Sequence, residues 1–302
     1  MSKPLSGIYA ALMSGFADNG DFCSTRQNAI VDYAIRQRIT GLYVGGSSAE
    51  GGLMTAGELL EQQVIVHQKC KGSGKTLIAH VGLPSLKESI RLAQHAKACG
   101  YDGLSALPPH AYPFSHPDVL DYYRQLSAAT DLPMIIYEVP LRTGRTSTTA
   151  QMVELLALKN VVGIKYTNTD LFGLALLRKH SPQATCFFGF DEMFGAAAAL
   201  GVDGGIGTTY NIIGGLYTAI FAAAWASDIP RLQTLQHISR DFVEALLKVG
   251  VIPGMKLALQ QIGVDCGPAR APFNLVGDNP QQIIRDALDK PELREWLAPG
   301  FM

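Results

Sequence analysis

The 302-residue chain lacks the features that mark several large classes of protein. Its five cysteines are odd in number, scattered and without CxxC spacing, which argues against a disulfide framework and a zinc site and fits a reducing compartment. The formal net charge is −1 with no basic block, so nothing indicates nucleic acid or an anionic membrane as a partner. No apolar segment is long enough to span a bilayer, and no signal peptide is visible. We therefore expect a soluble, cytoplasmic protein.

Motifs for metal and nucleotide binding are also missing. The seven histidines show neither HxxxH nor HExxH spacing, so we predict no metal site. Residues 72–76 (Gly-Ser-Gly-Lys-Thr) resemble the end of a nucleotide-binding P-loop. We reject that interpretation because Lys69 stands where the pattern needs glycine, and because the segment precedes a strand pattern instead of following one.

Short apolar runs alternate with longer helical patterns along most of the chain. The runs that predict strands are residues 6–13, 40–47, 76–82, 103–107, 133–139, 161–165, 186–190 and 204–207. The helical patterns between them include residues 56–70, 86–99, 119–129, 149–158 and 191–200. This alternation predicts an α/β protein, a closed (β/α)8 TIM barrel over residues 1–225, with a C-terminal helical extension over residues 226–302 packed on it. The alternative, an open doubly wound sheet, lacks the Gly-x-Gly-x-x-Gly turn after its first strand.

Residues with capping preferences mark several helix ends. The predicted helix starts are Thr55 with Glu58, Ser115 with Asp118, and Ser147 with Thr148, and the predicted closing glycines are Gly100 and Gly201.

Active sites of such barrels lie at the carboxyl ends of the strands, so polar residues there should converge on one mouth. The most informative of them is Lys165, which follows the apolar run 161–164. Burial favours the neutral amine, and a lysine whose pKa is lowered to roughly 7–8 can attack a carbonyl and form a Schiff base. For an isolated residue, a strand-end lysine that points into solvent is the simpler alternative.

Two other strand ends carry candidate residues. The turn at residues 45–52 combines glycines with the hydroxyls of Ser47 and Ser48, and its successive N–H groups can hold a carboxylate. Glu50 in this turn fits a structural role at a helix start better than a catalytic role. Tyr137 can relay protons if it lies near the reacting carbon, although packing is the more common use of a strand tyrosine.

The last two strands end in acids and hydroxyls. Asp191 and Glu192 could bind a metal or the hydroxyls of a polyol, or could cap the positive end of the next helix. The glycine-rich turn 205–209 makes phosphate a rival ligand, because loops after strands 7 and 8 often hold phosphate in these barrels. No Lys or Arg lies within that turn, which argues against phosphate.

Three motifs in strand order resemble the N-acetylneuraminate lyase and dihydrodipicolinate synthase superfamily of pyruvate-dependent class I aldolases. They are residues 46–50 (Gly-Ser-Ser-Ala-Glu) for the family's G-x-x-G-E turn, 137–140 (Tyr-Glu-Val-Pro) for Y-N-x-P, and 163–165 (Gly-Ile-Lys) for G-x-K. Residues 42–47, 165–167, 189–192 and 204–212 are most similar to the lyase branch. The resemblance covers essentially the whole chain and implies a homotetramer.

The resemblance implies Lys165 and Tyr137 as the catalytic residues. Lys165 is expected to form an imine with the C2 ketone of a 2-oxo acid. Tyr137 is expected to take the C4 hydroxyl proton as the C3–C4 bond breaks, which leaves the enamine of pyruvate. The protonated imine is the electron sink, so neither a cofactor nor a metal is expected. The implied substrate-binding residues are Ser47 and Ser48 for the carboxylate, and Thr167, Gly189, Asp191, Glu192, Gly207 and Thr208 for the sugar-acid tail.

Four residues depart from the lyase pattern. Ala49 replaces a family glycine, and Glu138 replaces the usual asparagine. Ala111 stands where both branches usually carry a tyrosine that is lent to the neighbouring subunit's proton relay, and Tyr112 is a candidate substitute. Arg142 resembles the synthase branch, where an arginine at this position meets a substrate carboxylate, and a solvated loop residue is the alternative.

We therefore predict a carbon–carbon lyase acting on a small 2-oxo acid, with cleavage of N-acetylneuraminate to N-acetylmannosamine and pyruvate as the leading hypothesis. One alternative is dihydrodipicolinate synthase, which Arg142 favours and the Asp191–Glu192 region weakens. Another is an aldolase or dehydratase for a different 2-oxo sugar acid. A sugar-acid sensor without catalysis is a further alternative, against which Lys165, Tyr137 and the two serines argue.

Overall fold

The computed structural model describes residues 5–300. Eight parallel strands pair in chain order, and the last pairs with the first, so the sheet closes into a barrel. The strands are β1 (Gly7–Ala11), β2 (Gly41–Val44), β3 (Thr76–His80), β4 (Gly103–Ala106), β5 (Met134–Glu138), β6 (Val161–Tyr166), β7 (Thr185–Phe188) and β8 (Gly204–Gly207). Every predicted strand is present, and the predicted (β/α)8 barrel is confirmed.

Helices follow the strands around the outside of the barrel. They are α1 (Ser24–Arg36), α2 (Ala56–Cys70), α3 (Leu86–Cys99), α4 (His116–Ala128), α5 (Pro140–Thr143), α6 (Thr149–Leu156), α7 (Leu171–His180), α8 (Phe194–Ala199), α9 (Tyr210–Trp225), α10 (Ile229–Val249), α11 (Val251–Gln261), α12 (Pro280–Leu288) and α13 (Pro291–Arg294). Short 3₁₀ helices span Gly51–Leu53 and Asp191–Met193. Within residues 5–300, no helix is both long enough and apolar enough to cross a membrane.

Local capping explains most helix boundaries. Reciprocal side-chain and backbone hydrogen bonds form capping boxes at Thr55 with Glu58 and at Ser115 with Asp118, and Gly100 closes α3 in the left-handed conformation. The start of α6 differs from the prediction. Thr148 alone is its N-cap, bonded to the backbone N–H of Gln151.

The helix predicted over residues 191–200 is in fact two elements. The 3₁₀ helix Asp191–Met193 is followed by α8, which ends at Ala199. Gly201, which was predicted to close this helix, lies just beyond the C-cap Leu200 and has φ +81°. The short first element matters for the site, because it begins at Asp191, one of the predicted site residues.

Side chains on each strand alternate between the barrel interior and the layer under the helices, as a pleated strand requires. The interior cluster comprises Leu5, Tyr9, Ala11, Tyr43, Ile78, Ile135, Phe187 and Ile206. Their strand neighbours, such as Ile8, Leu42 and Leu77, belong to the larger cluster that packs against the helices. The interior is therefore filled with side chains, and a ligand has room only at its ends.

Buried polar contacts attach the C-terminal part of the chain to the barrel mouth. Lys256 of α11 donates to the carbonyl oxygens of Ser14, Cys266 (3.3 Å) and Pro268 (3.2 Å), and its Nζ lies 3.7 Å from a carboxylate oxygen of Glu50. The other oxygen of Glu50 accepts the backbone N–H of Arg270 at 2.7 Å. These contacts fit the predicted extension, whereas a domain boundary at residue 225 stays a prediction.

The Lys256–Glu50 pair gives a test of this attachment. Both side chains are buried, and burial raises the pKa of Glu50 and lowers that of Lys256. Lys256→Met leaves Glu50 without its partner, so we expect a loss of about 3–5 kcal/mol in the free energy of unfolding by urea. The double variant Glu50→Gln/Lys256→Met should recover at least ~1 kcal/mol of that loss, because no unpaired charge is buried. Equal instability of the single and double variants would contradict this account.

Candidate active site

Lys165 and Tyr137 lie side by side at the carboxyl end of the barrel. They are register partners on the adjacent strands β6 and β5, and each is 4% exposed. Both open into a cavity of 530 Å³. Every predicted site residue except Gly207 lines this cavity, namely Ser47, Ser48, Tyr137, Arg142, Lys165, Thr167, Gly189, Asp191, Glu192 and Thr208. The structure thus brings together residues that are widely separated in the sequence.

The environment of Lys165 makes its amine easier to deprotonate than an ordinary lysine. Burial lowers the pKa of the amine, and Arg142 lowers it further, whereas Tyr137 and Asp191 act in the opposite direction. Nζ lies 4.1 Å from the ring centroid of Tyr137 and 4.5 Å from that of Tyr43. Since a neutral amine is the nucleophilic form, this lysine is suited to attack a carbonyl carbon.

The Tyr137 phenol is shifted towards ionisation. Burial acts to raise its pKa, but the positive charges of Lys165 and Arg142 outweigh burial, so the net pKa lies below its ordinary value. A phenol with a lowered pKa can accept a proton at lower pH than an ordinary tyrosine. A nucleophile and a candidate base therefore stand within one cavity.

The serine turn joins two sides of the barrel mouth. The hydroxyls of Ser48 and Thr208 lie 2.7 Å apart, which ties the turn after β2 to the turn after β8. Glu50 does not line this cavity; it has a left-handed backbone, at φ 59°, and its carboxylate turns away to Lys256 and Arg270. Its carboxylate makes no capping hydrogen bond to the helix that it precedes, and its partners lie in the C-terminal part of the chain, so a structural role stays a prediction.

Asp191 is the buried acid of the site. One of its oxygens, Oδ2, accepts the backbone N–H and the hydroxyl of Thr209 at 2.8 and 2.7 Å. Burial raises its pKa to about 6, against the lowering effect of those hydrogen bonds. Its other oxygen, Oδ1, and the hydroxyl of Thr167 are buried without a hydrogen-bond partner, which is typical of groups that meet a ligand.

This acid also bears on the rival ligands considered above. The carboxylate of Asp191 already occupies the N–H of Thr209 in the turn after β8, so a phosphate there would meet a negative charge. Within residues 5–300, no group of three His, Cys, Asp or Glu side chains is arranged to hold a metal ion.

The two predicted glycines matter because they have no side chain. A Cβ on Gly189 would lie 1.9 Å from the hydroxyl oxygen of Thr167 and 3.3 Å from Cε of Lys165. A Cβ on Gly207 would lie 2.1 Å from Oδ1 of Asp191. Gly207 therefore makes room for Asp191 and does not face the cavity itself.

The structure shows the contacts or the exposure of the residues at which the chain departs from the lyase pattern. Glu138 accepts the backbone N–H and the hydroxyl of Ser147, both at 2.9 Å, so Ser147 fixes this acid and does not cap α6. Arg142 is exposed and lies between the lysine cavity and a second cavity of 650 Å³, which does not contain Lys165. Tyr112, beside Ala111, is 73% exposed in this single chain.

Part of the cavity wall was not predicted. Four apolar side chains close one side of it, Val243, Leu246 and Leu247 from α10 and Val251 from α11. The backbone carbonyl of Asp191 also accepts hydrogen bonds from Gln236 (3.1 Å) and Ser239 (3.3 Å) of α10. The helical spacing of 243, 246 and 247 was the available signal, but it indicates only an apolar helix face.

Fold and site together define a (β/α)8 barrel with a desolvated lysine and a tyrosine in a cavity of mixed polar and apolar lining at its carboxyl mouth. The family model described as the dihydrodipicolinate synthetase family matches residues 4–290. The chain belongs to this family.

Individual relatives come from the lyase branch. An N-acetylneuraminate lyase of Rhizobium meliloti (strain 1021) is 40% identical over 284 residues, 94% of each chain. The Clostridium difficile protein CdNal, solved in complex with mannosamine, superposes with a TM-score of 0.91 at 32% identity, over 97% of this chain and 99% of that one. An N-acetylneuraminate lyase of Fusobacterium nucleatum, solved with pyruvate, gives 0.89 at 33% identity, over 97% and 98%. The resemblance predicted from the motifs, including its lyase branch, is confirmed.

Burial of Asp191 predicts a stability that depends on pH. Its pKa is about 6 in the folded protein and near 3.8 when the chain is unfolded, so the folded state binds more protons and loses stability as pH rises from about 4 to 6. Asp191→Asn removes this cost while keeping an acceptor for Thr209. We expect the variant to gain about 2–3 kcal/mol in urea unfolding at pH 8, and nothing below about pH 4. A similar gain from the neighbouring substitution Glu192→Gln would show that overall charge, and not burial of Asp191, is responsible.

Proposed function

We propose that this protein is a Schiff-base-forming class I aldolase that cleaves or forms a 2-oxo acid through pyruvate, with N-acetylneuraminate as its substrate. The observation that carries the proposal is that a desolvated amine, Lys165, and the phenol of Tyr137 are register partners on adjacent strands and line one cavity. The names of the relatives support the same chemistry, since they include N-acetylneuraminate lyases and a complex with pyruvate.

In the proposed reaction, Nζ of Lys165 attacks the C2 ketone of the substrate. The amine and the ketone take up one proton and release one water to give a protonated imine, which serves as the electron sink. Tyr137 accepts the proton of the C4 hydroxyl as the C3–C4 bond breaks. The bonding electrons move into the imine to form an enamine, and protonation at C3 followed by hydrolysis releases pyruvate. This scheme needs no cofactor.

The remaining cavity residues bind the two ends of the substrate. Ser47 and Ser48, on the glycine-rich turn, are the proposed carboxylate site. The sugar tail is proposed to meet the polar side opposite, through Thr167, Asp191, Glu192 and Thr208, with Gly189 and Gly207 leaving the space. The buried oxygens of Thr167 and Asp191 that lack partners support this assignment, because substrate hydroxyls are both donors and acceptors.

A second candidate function follows from Arg142. This arginine is exposed at the edge of the lysine cavity, where its planar fork suits a carboxylate on the aldehyde partner. Dihydrodipicolinate synthesis from pyruvate and aspartate semialdehyde is one such reaction, and an aldolase or dehydratase for another 2-oxo sugar acid is a broader version. N-acetylmannosamine has no such carboxylate, so substrate preference separates the candidates.

We also propose that the protein works in the cytoplasm as a homotetramer without nucleic-acid or membrane partners. The exposed Tyr112 supports assembly, because its ring stands 5.9 Å from that of Phe114 and is otherwise open to a neighbouring subunit. In such an assembly Tyr112 is the candidate for the relay position that Ala111 cannot fill.

The leading proposal is tested by pyruvate release from N-acetylneuraminate, coupled to NADH oxidation by lactate dehydrogenase. We expect release by the wild type, none by Lys165→Ala, and a loss of about 10²–10⁴-fold in kcat for Tyr137→Phe. Borohydride with pyruvate should add a covalent adduct to the wild type and not to Lys165→Ala. An adduct without release from N-acetylneuraminate would reject this substrate and keep the aldolase class. No adduct at all would favour a sensor.

The role of Arg142 is tested by comparing two aldehydes in condensation with pyruvate. For Arg142→Ala we expect a loss of ~10–100-fold in kcat/KM with aspartate semialdehyde and little change with N-acetylmannosamine. Arg142→Lys keeps the charge but not the fork, so it should recover only part of the loss. Equal losses with both aldehydes would assign Arg142 a general role at the cavity and not recognition of a second carboxylate.

A further inference from the structure

Tyr43 is an aromatic side chain at Lys165 that the proposed mechanism does not use. Its side chain is fully buried in the barrel interior, and Nζ of Lys165 lies 4.5 Å from its ring centroid. The second ring at Nζ, Tyr137, is the proposed base. A cation within about 6 Å of a ring face is stabilised by the negative potential of that face, more strongly where water is excluded.

The ring faces matter because Lys165 has no ion-pair partner. The ion pairs formed within residues 5–300 do not include it, although Asp191 exerts a longer-range attraction. The other charged or titratable groups that face Nζ are Tyr137, Arg142 and His80. Of these, Arg142 disfavours a positive charge on the amine, whereas the Tyr137 phenol favours it through its charge and a hydrogen bond. The ring face of Tyr43, 4.5 Å from Nζ, is a further group placed to stabilise that charge.

A buried hydrogen-bond network holds Tyr43 in this position. Its hydroxyl lies 2.8 Å from Nδ1 of His80 on β3 and 3.0 Å from Oγ of Ser105 on β4. His80 and Ser105 are register partners, so two adjacent strands fix one phenol. Burial and the charge of Lys165 lower the pKa of His80 to about 3, which keeps the imidazole neutral and adds no competing charge.

The same ring supports the carboxylate turn. A Cβ on Gly46 would lie 2.4 Å from the Tyr43 ring, so the turn passes directly over the ring before Ser47. The rings of His80 and Tyr43 also stand close to edge-on to Tyr137, at 87° and 84°. Tyr43 thus contacts the amine, the proposed base and the proposed carboxylate site.

We propose that Tyr43 is a further catalytic residue whose ring face stabilises the positive charge on Nζ, and that His80 and Ser105 are positioning residues that hold this ring. The charge is present in the ammonium form of Lys165 and again in the protonated imine. The effect of the ring on the protonated imine rests on the proposed function, whereas its effect on the ammonium form does not.

The test measures the two cationic states separately. The pKa of Lys165 is read from the pH dependence of its modification by an amine-selective acylating reagent, followed by mass spectrometry. The imine is read from the adduct trapped by borohydride at subsaturating pyruvate. Because the ring stabilises the ammonium form, Tyr43→Leu should move the labelling curve to lower pH by about one unit. Trapping is done at a pH above the labelling midpoints, where the free amine is neutral and only the imine carries the charge, and there Tyr43→Leu should reduce the trapped imine by roughly five- to tenfold.

Matched variants separate this role from packing. Tyr9→Leu makes the same change in the same barrel interior, but Tyr9 pairs with Phe187 and has no ring contact with Nζ, so the labelling curve should not move. His80→Leu should shift the curve in the direction of Tyr43→Leu by a smaller amount. His80→Asn, which retains a polar atom near Nδ1, should restore it. Tyr43→Phe keeps the ring face and should lie between the wild type and Tyr43→Leu.

An unchanged or upward-shifted labelling curve in Tyr43→Leu would overturn the proposal, as would an equal shift in Tyr9→Leu. If circular dichroism shows that Tyr43→Leu does not fold, the labelling curves of His80→Leu, His80→Asn and Tyr43→Phe provide the test. Unchanged or upward-shifted curves in His80→Leu and Tyr43→Phe would then overturn the proposal. Absence of trapped imine in the wild type, with the labelling shift retained, would contradict the proposed function while supporting the ring's effect on Lys165.

Discussion

The burial of the Lys165 amine is the constraint on which the site depends. Lys165 is held at the penultimate position of β6, deep enough that desolvation dominates its pKa and shallow enough to reach the cavity. The interior cluster below it fills the barrel, so a ligand can approach Nζ only from the carboxyl mouth. Strand register then decides the chemistry, since pairing β5 with β6 sets Tyr137 beside the amine without any contribution from loops. Rigid strands hold such a geometry more closely than loops do.

Three buried acids that follow or end barrel strands are each held by a different partner. Glu50 is bound by Lys256 and the backbone of Arg270, Glu138 by Ser147, and Asp191 by Thr209. An acid free to swing towards Lys165 would form a salt bridge, raise the pKa of the amine and suppress its nucleophilicity. Of the three, only Asp191 lines the lysine cavity, where its charge acts to raise the pKa of the amine against the effect of burial. Several of the partners lie far along the chain from the acids that they hold.

Sequence patterns predicted the barrel, its strands and Lys165 because each of these leaves a signal within a short stretch of sequence. Apolar runs of strand length, glycines and a polar residue at each strand end are visible without knowing the fold. The features that escaped prediction are set by contacts between distant segments. The Glu50–Lys256 pair and the α10 wall depend on how residues beyond 226 return to the mouth, and a heptad-like apolar face does not say what it covers. Ser147 was misassigned for the same reason, since its partner Glu138 lies on a strand and not on the helix that follows.

The apolar wall of Val243, Leu246, Leu247 and Val251 divides the site by chain segment. Bond-making groups reside on barrel strands, where any substitution disturbs register and packing. The apolar wall resides on two helices that can change side-chain size without altering a strand. The apolar side of the cavity and its reactive lysine thus belong to separate parts of the polypeptide. Substitutions in this wall can change the shape of the cavity while the strands that hold Lys165 and Tyr137 keep their register.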